Sequence, residues 1–314
     1  MSATSTAAAR AGATHPPTSG PPPAVRANGR RVDRTYYLFL LPALVLFTAL
    51  ITLPAIVGAV TSLTNYVGYG DWTFVGLANF SALFSDPRIL SSYGFTIGFA
   101  LATVVVVNML ALMLAIGLNA KIHFSTALRG VFFLPMVLSG IVIAYVFSFL
   151  FSNSLPAMAS AVGLGPLETS ILASPDTAWL GIVIVTAWQA IPSSVIIYLA
   201  GLQAVPEEVY EAASLDGANS RRQFWAITLP LMGGYVVLNT VLCFKNFINS
   251  YDVIVGLTNG GPGTATTSVA MSIFTGFTSG DYAYQMANAV VLFVVAVLVA
   301  ALQLQLIKRR GVSL

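Results

Sequence analysis

The sequence predicts an all-α, polytopic membrane protein with six transmembrane helices and, between the fourth and fifth, a short helical segment at the cytoplasmic surface. Three observations carry that prediction. Of 314 residues, 57% are hydrophobic and 8% charged, against about 45–50% apolar and about 25% charged in a soluble domain. Six apolar segments reach the length of about 20 residues that an α-helix needs to cross about 30 Å of hydrocarbon. The basic residues fall almost wholly on one side of those segments, as the positive-inside rule asks of the cytoplasmic face.

Residues 1–34, with PPTSGPPPAV at their centre, have almost nothing apolar to bury and predict a disordered cytoplasmic tail, which leaves 35–314 for the membrane domain. The first span, near 36–63, exceeds the apolar region of about 7–15 residues in a signal peptide and stays as an anchor. The others are expected near 91–118, 129–151, 178–202, 230–250 and 283–307. With residue 1 inside, Arg10, Arg26, Arg30, Arg31, Arg34, Lys121, Arg129, Arg221, Arg222, Lys308, Arg309 and Arg310 are all cytoplasmic. Only Arg88 falls outside and only Lys245 within a span, so both termini are placed in the cytoplasm. The outside connections near 65–90, 152–177 and 251–282 read as short loops with Asp71, Asp86, Asp176 and Asp281. Pro42, Pro54, Pro135 and Pro192 interrupt spans, which fits simple kinks and fits carbonyls freed toward a wet cavity equally. Gly94 and Gly98 have the spacing that lets two helices approach closely.

Several functions are excluded by what the chain lacks. Cys243 is the single cysteine, so no disulfide framework forms within the chain. His15 and His123 lie apart from each other and from any acid cluster, outside the spans. An intramembrane enzyme would need an H-E-x-x-H, a Ser-His arrangement or paired acids, and none is present. No G-x-x-x-x-G-K-[ST] occurs; GGPG at 260–263 lacks the lysine that would hold a nucleotide phosphate. The chain is therefore expected to bind no cofactor, and nothing in it points to nucleic acid.

Between the fourth and fifth spans stands EEVYEAASLDGANSRRQFWAITLPLM, Glu207 to Met232, with four of the 11 acids of the chain. Pro206 suits a first helical position, Glu207 and Glu208 suit the positive end of that helix, and Gly217 suits the left-handed residue that ends it. Ser220 with Gln223 matches a capping box, so a second short helix is expected to start there. Ala212 and Ala213, beside Val209, Tyr210 and Leu215 and rimmed by Glu207, Glu208, Glu211 and Asp216, form a close-fitting surface suited to docking into a groove; an ordinary charged loop has the same composition.

Spacing separates those alternatives. Glu211-Ala212-Ala213, three residues, Gly217, nine residues, then Ile227-Thr228-Leu229-Pro230 resembles the cytoplasmic loop of membrane subunits of ABC importers at every step. LRGVFFLPMVLSGIVIAYVFSFLF (128–151), LAGLQAVPEEVYEAASLDGA (199–218), VIVGLTNGGPGTATTSVAMSIF (253–274) and FVGLANFSALFSDP (74–87) are similar to the sugar-type permeases of the maltose permease family, over about residues 35–310. The resemblance implies that the loop 203–229 is a coupling helix seated in a cleft of the ATPase subunit. It implies as partners a second, homologous permease, an ATPase dimer that holds ATP and Mg, an extracellular solute-binding protein, membrane lipid and a sugar. It also implies alternating access across the cytoplasmic membrane.

Polar groups within spans are costly in hydrocarbon and tend to face a cavity or a partner helix. Trp188, Gln189, Pro192, Ser193 and Ser194 break the fourth span, and Asn239, Lys245, Asn246, Asn249, Ser250, Tyr251 and Asp252 gather in the fifth toward its outer end. They suit the hydroxyls and C–H faces of a sugar, and equally hydrogen bonds between helices. The family's solute-contacting positions fall on Cys243, Asn246, Phe247 and Ser250, and on Gly140, Gln189, Ala190 and Ser193. Lys245, seven residues before Asp252, could pair with it on one helix face or meet an anionic solute such as glycerol phosphate.

Overall fold

The computed structural model describes residues 34–119 and 125–308, with side chains at 38–119 and 130–305. Residues 1–33 of the tail predicted over 1–34, both histidines, Lys121, Arg309 and Arg310 lie outside those residues, and Arg34 begins a helix. The chain divides into two compact units, Met1–Thr52 and Leu53–Leu314. In the first, α1 (Arg34–Phe47) passes into a π-helical turn at Thr48–Thr52. Pro42 inside α1 has no N–H for the helix ladder. The described side chains of this unit, such as Phe39 and Leu50, are exposed apart from the half-buried Thr52, as suits apolar residues that face lipid.

The second unit begins with α2 (Leu53–Thr61) and α3 (Ala78–Ser85), with one isolated bridge between Thr64 and Phe74. Asp86 then accepts the Arg88 backbone N–H at 2.9 Å and opens α4 (Pro87–Asn119). After α5 (Ser125–Val137), α6 (Gly140–Phe149) and α7 (Leu155–Val162) comes α8 (Pro175–Gln203), which lies along α4. The core sits on this pair. Phe99, Val104 and Val107 of α4 meet Ile182 and Val185 of α8 and Phe244, Phe247 and Ile248 of α12 (Gly233–Ile248). A second cluster joins Ala111, Ala115 and Leu118 to Tyr198, Leu199, Leu202 and Met232. The remaining elements are α9 (Glu207–Leu215), α10 (Ser220–Gln223), α11 (Leu229–Leu231), α13 (Asp252–Thr258), α14 (Val269–Thr278) and α15 (Tyr282–Lys308).

Among the described residues five helices are long and apolar enough to cross a membrane: Leu38–Thr61, Pro87–Asn119, Gly140–Val162, Pro175–Gln203 and Tyr282–Gln305. The fifth expected span, near 230–250, is met only when Ser220–Leu231 and Gly233–Ile248, bent by 64° at Met232, are counted as one. The molecule is an all-α, multi-pass membrane protein.

The third span departs from expectation. The apolar run near 129–151 is divided, because Ser139 is extended (ψ 134°) and starts a new helix at Gly140 by accepting the Ile143 N–H at 3.0 Å. That helix continues through a π-helical turn at Leu150–Ser154 and ends at Val162, where the left-handed Gly163 stops it. The connection expected to be a loop over 251–282 holds α13 and α14. Val253, Ile254 and Leu257 of α13 are buried against α6 and α8, and a Cβ on Gly256 would come within 2.5 Å of the Ala144 Cβ, so the two backbones meet through that glycine. Thr96 on α4 accepts the Val269 N–H at 2.9 Å and ties down the start of α14.

Candidate functional site

Two regions gather the polar residues singled out by the sequence. The first is α9 and the segment that follows it. Glu207 and Glu208 occupy the first turn of α9, with Pro206 immediately before the helix rather than in its first turn. The chain leaves α9 at Gly217 with φ +77°, the Ala218 N–H reaching Ala213 O at 2.9 Å and the Gly217 N–H reaching Ser214 O at 3.0 Å. That paired closure is the one a left-handed glycine makes possible. The capping box is corrected: Asn219, not Ser220, caps α10, its Oδ1 accepting the Arg222 N–H at 2.9 Å. The Gln223 side chain instead turns back, donating to Ser214 Oγ at 2.9 Å and Ala218 O at 3.1 Å. Tyr210 and Thr228 share a hydroxyl hydrogen bond at 3.0 Å. These hydrogen bonds lace α9 to the segment that follows it.

Only Tyr210 and Ala213 of α9 are partly covered. Glu207, Glu208, Glu211, Ala212, Asp216 and Gly217 are exposed, and Leu215 is 91% exposed. The acid rim and the apolar Leu215 therefore face away from the rest of the described chain, which is the arrangement a docking helix needs.

The second region is a cleft of about 440 Å³ between the start of α6, the middle of α8 and the break after α12, lined by Gly140, Gln189, Asn249, Ser250, Tyr251 and Asp252. Gln189 donates to Leu138 O at 3.2 Å, across the gap that Gly140 leaves open, and so holds its amide at the cleft wall. Ser268 donates to Ser250 O at 3.1 Å and fixes the break. The cleft offers two amides, two hydroxyls, a carboxylate and an aromatic face within one small volume.

Of the predicted solute residues, the structure brings Gln189 and Ser250 together here, with Gly140. Ser193 and Asn246 are exposed but do not line the cleft. Cys243 and Phe247 are turned the other way, into the core: Cys243 Sγ lies 3.5 Å from Ser194 Oγ, and Phe247 packs edge-on to Phe99 at 6.5 Å. One helix face cannot serve both the core and the cleft, and at these two positions packing takes it. Lys245 and Asp252 do not pair; the chain leaves α12 after Ile248, so they share no helix face. Asn249, Tyr251 and Asp252 join the cleft through that break, which no helical periodicity signals.

Asn239 and Ser194 belong to a buried polar network instead. Asn108 on α4 donates to Val104 O, and its Oδ1 accepts from Asn239 at 3.2 Å, Thr240 at 3.4 Å and the Tyr198 hydroxyl. Three helices are joined at one amide. Asn108 had no signal of its own in the sequence, being one polar residue in an apolar run.

Comparisons with known proteins place these features. Residues 107–312 match the family model described as binding-protein-dependent transport system inner membrane component. The chain is 36% identical over 284 residues to the multiple sugar-binding transport system permease protein MsmF of Streptococcus mutans, covering 89% of this chain and 98% of that protein. It is 32% identical over 262 residues to the trehalose/maltose transport system permease protein MalF of Thermococcus litoralis, covering 82% and 88%. Among solved structures it is similar to a chain of a bacterial alginate ABC transporter crystallised with an alginate pentasaccharide-bound periplasmic protein. That likeness has a TM-score of 0.76 at 19% identity and covers 88% of this chain and 95% of the other.

Proposed function

Since the chain belongs to the family of binding-protein-dependent transport inner membrane components, we propose how its two polar regions divide the work of import. It is a permease subunit of the sugar type in an ABC importer, a transporter component and not an enzyme. It works with a solute-binding protein, as the family description states.

Both termini lie in the cytoplasm, so α9 projects on the cytoplasmic side and the cleft opens toward the outside. A second, homologous permease completes the pathway, and a separate ATPase dimer holding ATP and Mg receives α9 in its surface cleft. Glu207, Glu208, Glu211, Ala212, Ala213, Asp216 and Gly217 form the docking surface. The observation that carries this is the exposed acid-rimmed face of α9 on a hairpin braced by Tyr210–Thr228 and Gln223–Ser214. The brace lets a push on the helix reach the spans without being absorbed in the loop.

In the cleft, Gln189 and Ser250 hydrogen-bond the sugar, with Asn249, Tyr251 and Asp252 beside them; Asn246 and Ser193, exposed on α12 and α8, extend the path toward the partner permease. Cys243 and Phe247 support those helices from behind. Asp252 places a carboxylate in the cleft with no cation among the described residues that line it, which favours neutral sugars over a polyol phosphate. The test is uptake of a labelled sugar in cells with the assembled importer, with a panel of sugars and glycerol phosphate as competitors. Gln189→Ala and Ser250→Ala each lose a hydrogen bond of about 0.5–1.5 kcal/mol, so uptake should weaken several-fold and the competition order should change. An unchanged order in both variants would overturn the cleft assignment.

A further inference from the structure

A second hollow, of about 640 Å³, lies between α12, α14 and α15. Its polarity is graded. Its polar lining residues, Lys245, Asn249 and Tyr251, all belong to the last turn of α12 and the break after it. The rest is apolar, including a row along α15 from Ala289 to Ala300. That row rises about 16 Å, roughly half of the about 30 Å hydrocarbon thickness, which is the reach of one leaflet's acyl chain.

Lys245 is exposed and makes no ion pair with any described residue. A cation near the end of a span is costly unless a counter-charge reaches it, and long basic side chains there extend toward the headgroup level. The groove thus presents a positive charge with two neutral hydrogen-bonding side chains at one end and a dry wall of one leaflet's depth below.

We infer that this groove is a binding site for an anionic phospholipid, its phosphate held by Lys245 with Asn249 and Tyr251, and one acyl chain lying along α15 beside Ala296. A small anionic solute would leave the apolar wall unfilled. A helix from another subunit would need a carboxylate at the level of Lys245 and would bury the polar end together with the rest. The site is separate from the sugar cleft in what it recognises, although Asn249 and Tyr251 border both.

The test titrates the solubilised, assembled transporter with dioleoyl phosphatidylglycerol and, separately, dioleoyl phosphatidylcholine, counting retained lipids by native mass spectrometry. Lys245→Gln should weaken phosphatidylglycerol retention about fivefold, the upper end for one exposed ion pair, and leave phosphatidylcholine unchanged. Ala296→Trp should fill the acyl track and weaken both. Equal phosphatidylglycerol retention by Lys245→Gln and the unaltered transporter would overturn the site. So would loss of another subunit from Ala296→Trp with lipid retention intact, since the groove would then belong to a protein partner. If Ala296→Trp does not assemble, the contrast between the two lipids in Lys245→Gln decides alone.

Discussion

At Gly217 the backbone stands at φ +77° with nothing within 4 Å of where a Cβ would sit. Substitution there meets no clash, and its cost is purely conformational. A β-branched residue is strained at positive φ, so Gly217→Val should loosen the closure of α9 and abolish uptake for every sugar alike, with the subunit still in the membrane. Normal transport by that variant would remove Gly217 from coupling. Asn108 presents the opposite case, in which one side chain accepts from the Asn239 amide and the Tyr198 hydroxyl within the spans, while Thr240 donates more closely to Val236 O, at 2.7 Å. Asn108→Ala leaves the amide and the Tyr198 hydroxyl without that acceptor at a cost of about 1–3 kcal/mol. Its melting temperature should fall while the order of competing sugars stays as it was; a changed order would make the network part of the path.

Helix α13 shows how much of an element can hide from a hydropathy reading. Its seven residues are too few to register as a span, yet Val253, Ile254 and Leu257 are buried and Gly256 meets Ala144. Gly256→Leu would overfill that contact, which typically costs about 1–3 kcal/mol. It should lower the melting temperature and weaken sugar uptake by displacing Asp252 at the head of α13; full uptake with an unchanged melting temperature would show that α13 does not shape the cleft. The long helices were legible because runs such as 178–202 carry their own apolar length, and α9 was legible because Pro206, Gly217 and the acids between them punctuate it. The third span was not, since an apolar window counts residues without seeing that Ser139 turns the chain before Gly140. In the cleft, Gln189 and Ser250 stood out as polar groups among apolar ones, whereas Cys243 and Phe247 matched the family's positions but face the core, a choice that depends on what α4 packs against. Lys245 and Asp252 would share a face only on a helix that runs on past Ile248, where α12 ends.

For the molecule as a whole, the placement of both termini in the cytoplasm rests on 12 basic residues assigned inside against one in an outside connection. Cysteines introduced at Asp71, Gly165 and Ala265 should react with an impermeant thiol reagent in intact cells, and one at Asn219 should react only after the membrane is opened. Labelling at Asn219 from outside would reverse the topology, and with it the assignment of α9 to the ATPase. The bend of 64° at Met232 gives this arrangement a mechanical meaning. Ser220–Leu231 is an arm of about 18 Å and the 16-residue α12 is an output shaft of about 24 Å. The two are joined at an elbow where Met232 is wholly buried. Sliding the tip of the arm by about 3 Å would turn the elbow by about 10°, and the far end of the shaft, where the cleft begins, would swing by about 4 Å. Turning as one rigid piece, a crank of that proportion would deliver at its far end slightly more travel than it receives.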